Sequence, residues 1–463
     1  MRKNRVNIFV CGPTVYDLSH IGHARTYISF DVMVKHLRSA GYDVFYLQNI
    51  TDIEDKIINR AKILGTAPSY LAQTEEADYR LDMERLGIDS VSKYARATEY
   101  VKEIIVQIET LLRKKFAYES GGNVYFDIAK FPDYGKLSHQ KLDQLREAVR
   151  IEKDGNKHSD FDFILWKAKK PGEPFWHSPW GEGRPGWHIE DTAISEKHFG
   201  PQYDIHGGSI DLIFPHHESE IAQMQAASGK KPFVHYWLHT GILLVKGKKM
   251  SKSLGNYITI RTFLSKYTPE VLRFLVLGTH YRSPINYSEK LAVQAQEGLE
   301  RINEFIKHIS DSQNTRVQKK GGDAEVKKLL VDTKERFTTY MNDDINTPKA
   351  LSVLFDLIKR GNKLFASGSL TTNRAKKILD VLREFDMIFG IMPALWPTKK
   401  GKRETLPENV GKLVAIRERY RQEKNWQKAD ELRKLIELEG YSIEDTPQGP
   451  RLRKLKNREN IEN

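Results

Sequence analysis

The stretch FPHHESEIAQ, residues 214–223, opens after a phenylalanine with proline and crowds two histidines and two glutamates into five positions. On a helix, His216 and Glu220 stand four apart on one face, which is a metal-ligand spacing. Two donors do not complete a site, and a polar helix cap with a surface histidine would read the same way. Two other stretches suit phosphate. HIGH, His20 to His23, follows an apolar run and opens a helix. Helix N-termini attract phosphate through unpaired N–H groups and the dipole. His20 and His23 can contact phosphates as charge develops, and Gly22 leaves room where a nucleotide base could pack. KKMSKS, residues 248–253, sets Lys249 and Lys252 among serine hydroxyls in a glycine-flanked loop. Those groups suit the outer phosphates of a nucleotide and the charge of a departing pyrophosphate. Each stretch alone could be a solvated loop or helix start, but the pair in this order is far from a chance pattern.

The elements that must position these residues are legible in outline. RVNIFV at 5–10 reads as a buried strand, followed by a Gly-Pro loop and a helix from about Ile21. GYDVFYLQNI at 41–50 is a second strand, rich in aromatic and β-branched residues. Strand, helix, strand at this spacing predicts a βαβ unit and a parallel sheet. Helical patterns fill 70–115, and 116–182 changes to short strands, aromatics and Pro-Gly punctuation. QYDIHGG and VHYWLHTGILLV are strand-like, and after KKMSKSLGN the chain is amphipathic and helical. SDSQNTRVQKKGGD at 310–323 predicts a polar loop, and MPALWPTKKGKRETLPEN at 392–409 a basic linker. The expected class is α/β with an all-α continuation. Its expected parts are 1–115 and 183–245 as one split domain, 116–182 as an insertion, 246–290 around the lysine loop, 291–398 as a helical bundle, and 399–463 as a small C-terminal module.

Composition narrows the partners. The 463 residues suffice for several domains, and 39% hydrophobic with 29% charged residues is the balance of a globular chain. GILLVKG, near residue 241, is far too short to span a bilayer. The N-terminal apolar stretch breaks at Gly12 and Pro13, unlike a signal peptide, so a cytoplasmic address is expected. The one cysteine, Cys11, excludes an intramolecular disulfide and any zinc site of thiolates alone. A net charge of +13 points to a polyanionic partner, most simply nucleic acid.

HIGH with KMSKS on such a frame resembles the signature of the class I aminoacyl-tRNA synthetases. CGPTVYDLSHIGHART, NITDIEDKI, GRPGWHIED, DIHGGSIDLIFPHHESEIAQ, KMSKSLGN and HYRSPINYS narrow the resemblance to the cysteinyl-tRNA synthetase family. It continues through MNDDINTP to WQKADELRKLIELEGYSIEDTPQGPR, essentially the whole chain. The resemblance implies a Rossmann-like catalytic domain, a helical bundle and an anticodon module. It implies ATP, L-cysteine and tRNA(Cys) as partners, one zinc per chain, magnesium with ATP, a monomer, and no membrane. Zinc would be held by Cys11, Asp191, His216 and Glu220, with His217 just outside that set. His20, His23, Lys249 and Lys252 would be catalytic, and Gly22, Gly207, Gly208, Asp211 and Lys252 would bind ATP. Gly12, Thr51, Trp187, His188 and His206 would line the cysteine pocket, and Trp426, Asp430, Arg433 and Asp445 would contact tRNA.

Two departures stand out. The family motif normally reads GWHIEC, where this chain has Asp191, and Ser209 stands where the family usually has a third glycine. Aspartate keeps the negative charge but exchanges a soft sulfur for a hard oxygen. Zinc is expected to bind through this set, less tightly; the competing expectation is that Asp191 never touches metal. Two rival functions follow from the same residues: a ligase joining cysteine to a small amine, and a tRNA-binding paralogue that has lost catalysis.

Overall fold

The computed structural model describes residues 4–140, 155–251, 254–312, 323–396, 408–422, 425–446 and 449–454. Lys252 lies outside these residues. Apolar β1 (Arg5–Val10) and β2 (Asp43–Ile50) flank the helix Ile21–Ser39 and pair in parallel, Ile8 opposite Tyr46 and Val10 opposite Gln48. β3 (Lys93–Arg96) extends the sheet beyond β2. It interrupts the helical reading of 70–115, which holds for Pro68–Arg85 and Val101–Arg113. β3 is a short edge strand, KYAR, with a single buried residue, so it carries no apolar alternation to be read.

Five strands form an antiparallel sheet in the order β4 (Ala117–Ser120), β5 (Asn123–Phe126), β6 (Phe163–Ala168), β8 (Gly181–Pro185) and β7 (Trp176–Ser178). Its apolar face is not free-standing. Phe126, Leu165 and Trp166 share a core with Ile104 and Ile108 of one flanking helix and Ala222 and Ala226 of another. The chain then returns to the parallel sheet with β9 (Tyr203–Ser209) and β10 (Val234–Thr240), giving the order β10-β9-β1-β2-β3. From β1 the chain builds outward first on one side and later on the other. The order therefore reverses between β1 and β9, and in such sheets ligands bind at the carboxyl ends of the strands beside that reversal.

The strand-like run 234–245 is two strands. β11 (Leu243–Val245) leaves the parallel sheet and pairs with β12 (Lys248–Lys249) and β13 (Ile285–Tyr287). Helices Glu289–Ser312, Asp323–Asn342, Thr347–Ala366 and Thr372–Phe389 follow, so helix occupies both ends of the expected loop at 310–323. Their apolar faces join the sheet layer in one core, with Phe30, Tyr46 and Ile50 in the same cluster as Leu354, Phe385 and Phe389. This compact unit ends at Leu395 and a second one follows. There, helices Glu408–Gln422 and Trp426–Leu438 and the hairpin β14 (Tyr441–Thr446) and β15 (Gly449–Lys454) close over Val410, Ile436 and Ile443. Among the described residues, no helix is long and apolar enough to cross a membrane.

Candidate active site

The helix Ile21–Ser39 starts at the strand-order reversal, and His20 is its N-cap, with extended backbone (φ −111°, ψ 167°). The Nδ1 of His20 accepts from the Gly22 N–H at 3.0 Å and the His23 N–H at 3.3 Å. The His20 N–H in turn donates to Nδ1 of His23 at 3.3 Å. This is a capping box built from two imidazoles. Since both Nδ1 atoms accept, each neutral ring carries its proton on Nε2. Burial lowers the pKa of His20 to about 4 against the opposing pull of Asp211, and burial with the neighbouring His20 holds His23 well below its usual value. The rings stack 3.9 Å apart, so the helix start presents two neutral Nε2–H donors. A Cβ on Gly22 would come within 2.7 Å of the His20 ring and 3.0 Å of the Met250 methyl, so only glycine lets the helix pass beneath them.

Across the cleft, β12 carries Lys249, whose Nζ donates to Asp211 Oδ2 at 2.5 Å. Asp211 follows β9 in the turn Ile210–Leu212, where burial is outweighed by Lys249 and the adjacent Ser209, which hold its carboxyl below the usual range. The cleft is lined by His20, His23, Trp187, Asp211, Lys249 and Met250, with Cys11 and Gly12 also in its wall.

Cys11 directly follows β1, anchored by its N–H to the Gly207 carbonyl at 2.9 Å. Asp191 points in from the helix Trp187–Phe199, His216 from the turn Ile213–His217, and Glu220 from the helix Glu218–Ser228. His216 Nε2 lies 3.1 Å from Asp191 Oδ2 and 2.9 Å from Glu220 Oε1, and Cys11 Sγ lies 4.0 Å from the same Glu220 oxygen. The ligand atoms of Cys11, Asp191, His216 and Glu220 all lie within 4.8 Å of one another, and all four residues are buried. Cys11 and Glu220 also belong to a second set with His206 and His217. The two histidine Nε2 atoms each stand 3.3 Å from the sulfur. Glu220 Oε2 faces His206 at 3.4 Å and accepts no hydrogen bond.

The electrostatics say what kind of ligand such a cluster suits. Burial, then Asp191 and Glu220, push the Cys11 thiol well above its usual range. Burial opposes protonation of His216, but Glu220 and Asp191 outweigh it and hold its pKa at about 10. Burial likewise raises Glu220 against the pull of His216. Two carboxylates and a thiol thus converge away from water with one imidazole as counter-charge, and one carboxylate oxygen is unpaired. A divalent cation fits that donor set.

The remaining expected residues are distributed around this centre. The Trp187 ring stacks on His216 with centroids 4.2 Å apart. His188 Nδ1 approaches His216 Nδ1 at 2.8 Å, and His188 lines a neighbouring cavity with Tyr134, Phe163 and Phe214. His206 is pinned by the Tyr203 hydroxyl, 2.6 Å from its Nδ1. Thr51 does not line the cleft wall; its buried hydroxyl donates to Glu190 Oε2 at 2.9 Å. Gly207 and Gly208 lie toward the carboxyl end of β9. Asn49, which sequence reasoning passed over, donates through Nδ2 to Asp191 Oδ1 at 2.6 Å and accepts the Gly12 N–H at 2.5 Å. It stands inside the motif NITDIEDKI, but an amide is diagnostic of no chemistry. In the second unit, Trp426, Asp430 and Arg433 follow one another at helical spacing along one face. Trp426 is exposed, with the Arg421 guanidinium 5.6 Å from its ring centre. Asp445 lies on β14 opposite Pro450.

Residues 1–297 match the family model of the class I (C) tRNA synthetase catalytic domain, and residues 336–393 match that of the DALR domain. The chain is 45% identical over 448 residues to the cysteine–tRNA ligase of Thermoplasma volcanium, covering 96% of this chain and 94% of that protein. It is 42% identical over 453 residues to that of Carboxydothermus hydrogenoformans, covering 97% and 96%. Mycobacterium tuberculosis methionyl-tRNA synthetase in complex with methionyl-adenylate is similar with a TM-score of 0.62 at 16% identity, over 84% of this chain and 92% of that one. The Agrobacterium radiobacter agnB2 LeuRS in its ternary complex with tRNA and LeuAMS gives 0.62 at 11% identity, over 86% of each chain. At these identities the two structures share the fold.

Proposed function

The chain belongs to the cysteine–tRNA ligase family of class I tRNA synthetases, and from that premise we propose that its cleft forms cysteinyl-adenylate and charges tRNA(Cys). The observation that carries the reading is the meeting of three groups at one end of one sheet. They are the His20–His23 cap, the Lys249–Asp211 pair and the buried Cys11, Asp191, His216 and Glu220 cluster.

In the first step a carboxylate oxygen of cysteine bonds to the α-phosphorus of ATP, and the bond to pyrophosphate breaks. No side chain need become covalently attached; the work is positioning and charge stabilisation. The Nε2–H groups of His20 and His23 are aimed donors for phosphate oxygens, with no proton to lose near neutrality. Lys249 and Lys252 supply positive charge to the leaving pyrophosphate, whose magnesium arrives with ATP. Asp211 exchanges its Lys249 partner for ribose hydroxyls when the nucleotide enters, and Gly22, Gly207 and Gly208 keep side chains out of the nucleotide's way. In the second step the terminal adenosine hydroxyl of the tRNA bonds to the carbonyl carbon, the bond to AMP breaks, and the hydroxyl proton passes to the departing phosphate.

For amino-acid selection, Trp187, His188, His206 and Gly12 shape the floor around the donor cluster, and Thr51 acts behind it through Glu190. Zinc held by Cys11, Asp191, His216 and Glu220 would supply a Lewis acid for the substrate's thiol, a bond that a serine hydroxyl matches poorly. Trp426, with Asp430, Arg433 and Asp445, forms the stacking and base-edge surface for the anticodon.

Cysteine-dependent ATP–pyrophosphate exchange tests the reading. With magnesium supplied throughout, exchange should collapse when the enzyme is stripped of its own metal and return with zinc. Exchange indifferent to metal would remove the ligand assignment. Retained tRNA binding with no exchange at all would replace the enzyme by a binding paralogue.

A further inference from the structure

Asp191 reaches the donor cluster with only one of its oxygens, and the structure shows what holds the other. Asn49 is the penultimate residue of β2, buried to 2% exposure. Its amide is used at both ends. Oδ1 accepts the N–H of Gly12, the residue after Cys11, at 2.5 Å, and Nδ2 donates to Asp191 Oδ1 at 2.6 Å. Asp191 Oδ2 is thereby turned toward His216 Nε2, 3.1 Å away. One amide therefore ties the backbone beside the sulfur donor to the carboxylate donor and fixes their separation.

Asn49 has little freedom to yield. A Cβ built on Gly12 would stand 1.6 Å from the Asn49 carbonyl oxygen, so the two strand ends are already in close contact. The neighbouring Thr51 hydroxyl grips Glu190 on the same helical turn as Asp191. To turn both oxygens onto a cation, Asp191 would have to rotate against the bond it accepts from the asparagine.

We infer that Asn49 is the positioning residue that makes Asp191 a one-oxygen donor, and so keeps its second oxygen out of the metal centre. The inference rests on the metal reading proposed above. Four single donors of sulfur, nitrogen and oxygen suit a small ion that accepts tetrahedral coordination, such as zinc. A two-oxygen carboxylate adds a fifth contact and shifts preference toward larger, harder cations.

The test uses the full chain loaded with cobalt(II), whose visible absorption is strong in four-coordinate and weak in higher-coordinate sites, and zinc competition against a chromophoric chelator. The wild type should give the strong four-coordinate band. Asn49→Ala should lose band intensity and bind zinc about 10- to 100-fold more weakly. In an Asp191→Ala background the same change should have no further effect, because Asn49 acts through Asp191. Wild-type affinity and spectrum in Asn49→Ala, or an undiminished loss in the Asp191→Ala background, would overturn the inference. If neither Asp191→Ala nor Asn49→Ala alters zinc affinity, the ion sits in the His206–His217 set; the inference fails and the metal reading stands. A wild type that binds neither ion removes both. Asn49→Ser, which keeps an acceptor near Gly12, replaces alanine if that variant does not fold. If neither folds, the wild-type spectrum decides, and a weak higher-coordinate band overturns the inference.

Discussion

Replacing Asp31 with asparagine should destabilise the first unit by about 3–5 kcal/mol, the usual cost of breaking a buried ion pair from one side. Asp31 lies inside the helix that carries His20 and His23, and its Oδ2 accepts from Arg273 and from Lys35, each at 2.9 Å. Arg273 is buried as well and donates its other N–H groups to Phe389 O at 2.8 Å, Leu86 O at 3.1 Å and Gly87 O at 3.3 Å. It thus joins the sheet layer to the last bundle helix. Asparagine keeps the shape but leaves a guanidinium, which cannot deprotonate, facing only carbonyls. The sign of the pH dependence follows from Asp31 itself. Burial raises its pKa, but Arg273 and Lys35 outweigh burial and hold it below the usual carboxylate value. The stabilisation is therefore complete above the unfolded pKa of about 3.9 and is lost as pH falls through the lower folded value. Urea unfolding followed by tryptophan fluorescence should give the same wild-type-to-variant difference at pH 7 and pH 5, and a smaller one below pH 4. A difference under about 1 kcal/mol at pH 7, the range of exposed pairs, would refute the reasoning. So would a difference that grows on acidification.

Other expectations address the site directly. Gly12→Ala must push its Cβ away from the Asn49 oxygen, 1.6 Å distant as built, by more than an ångström. Donor distances tolerate about 0.2 Å, so elemental analysis should find the variant depleted of metal, with stability lowered by about 1–3 kcal/mol. With its pKa at about 4, His20 stays neutral, so the exchange rate should show no limb from it between pH 6 and 8. A limb in that window that disappears in His20→Asn would contradict the proton assignment. Trp426→Ala should raise the KM for tRNA by about 5- to 150-fold, the equivalent of 1–3 kcal/mol of stacking, and leave pyrophosphate exchange unchanged. An equal fall in exchange would place Trp426 in folding rather than recognition.

What the sequence discloses depends on how local the determinant is. HIGH and KMSKS are contiguous, so their residues and order could be read directly, and so could β1, β2 and the helix between them. The proton positions on His20 and His23 could not, because they follow from a cap geometry in which each ring accepts a backbone N–H. The donor cluster is dispersed from residue 11 to residue 220. Only His216 and Glu220 have a legible spacing; Cys11 and Asp191 entered through family resemblance. The second set, with His206 and His217, was invisible because two imidazoles meet one sulfur from separate elements. The break of 234–245 into two strands is equally non-local, since β11 is drawn away by β13, some forty residues later in the chain.

The donor geometry in turn depends on strand register, and the apolar residues fix that register from both faces. Val10 lies opposite Gln48, which places Cys11 at the level of Asn49 just beyond the pairing. Ile8, Val10 and Tyr46 are buried in the large core shared with the bundle, whereas Phe9, Cys11 and Leu47 are buried in the cluster on the opposite face, with Tyr203 and Phe233. A slip of one residue would exchange these two sets and turn the sulfur and the amide to opposite faces. Both faces are filled, so neither set has open space to move into. The residues that look least chemical, the valines, leucines and aromatics of β1 and β2, therefore set where Cys11 stands relative to Asn49 and, through Asn49, where Asp191 stands.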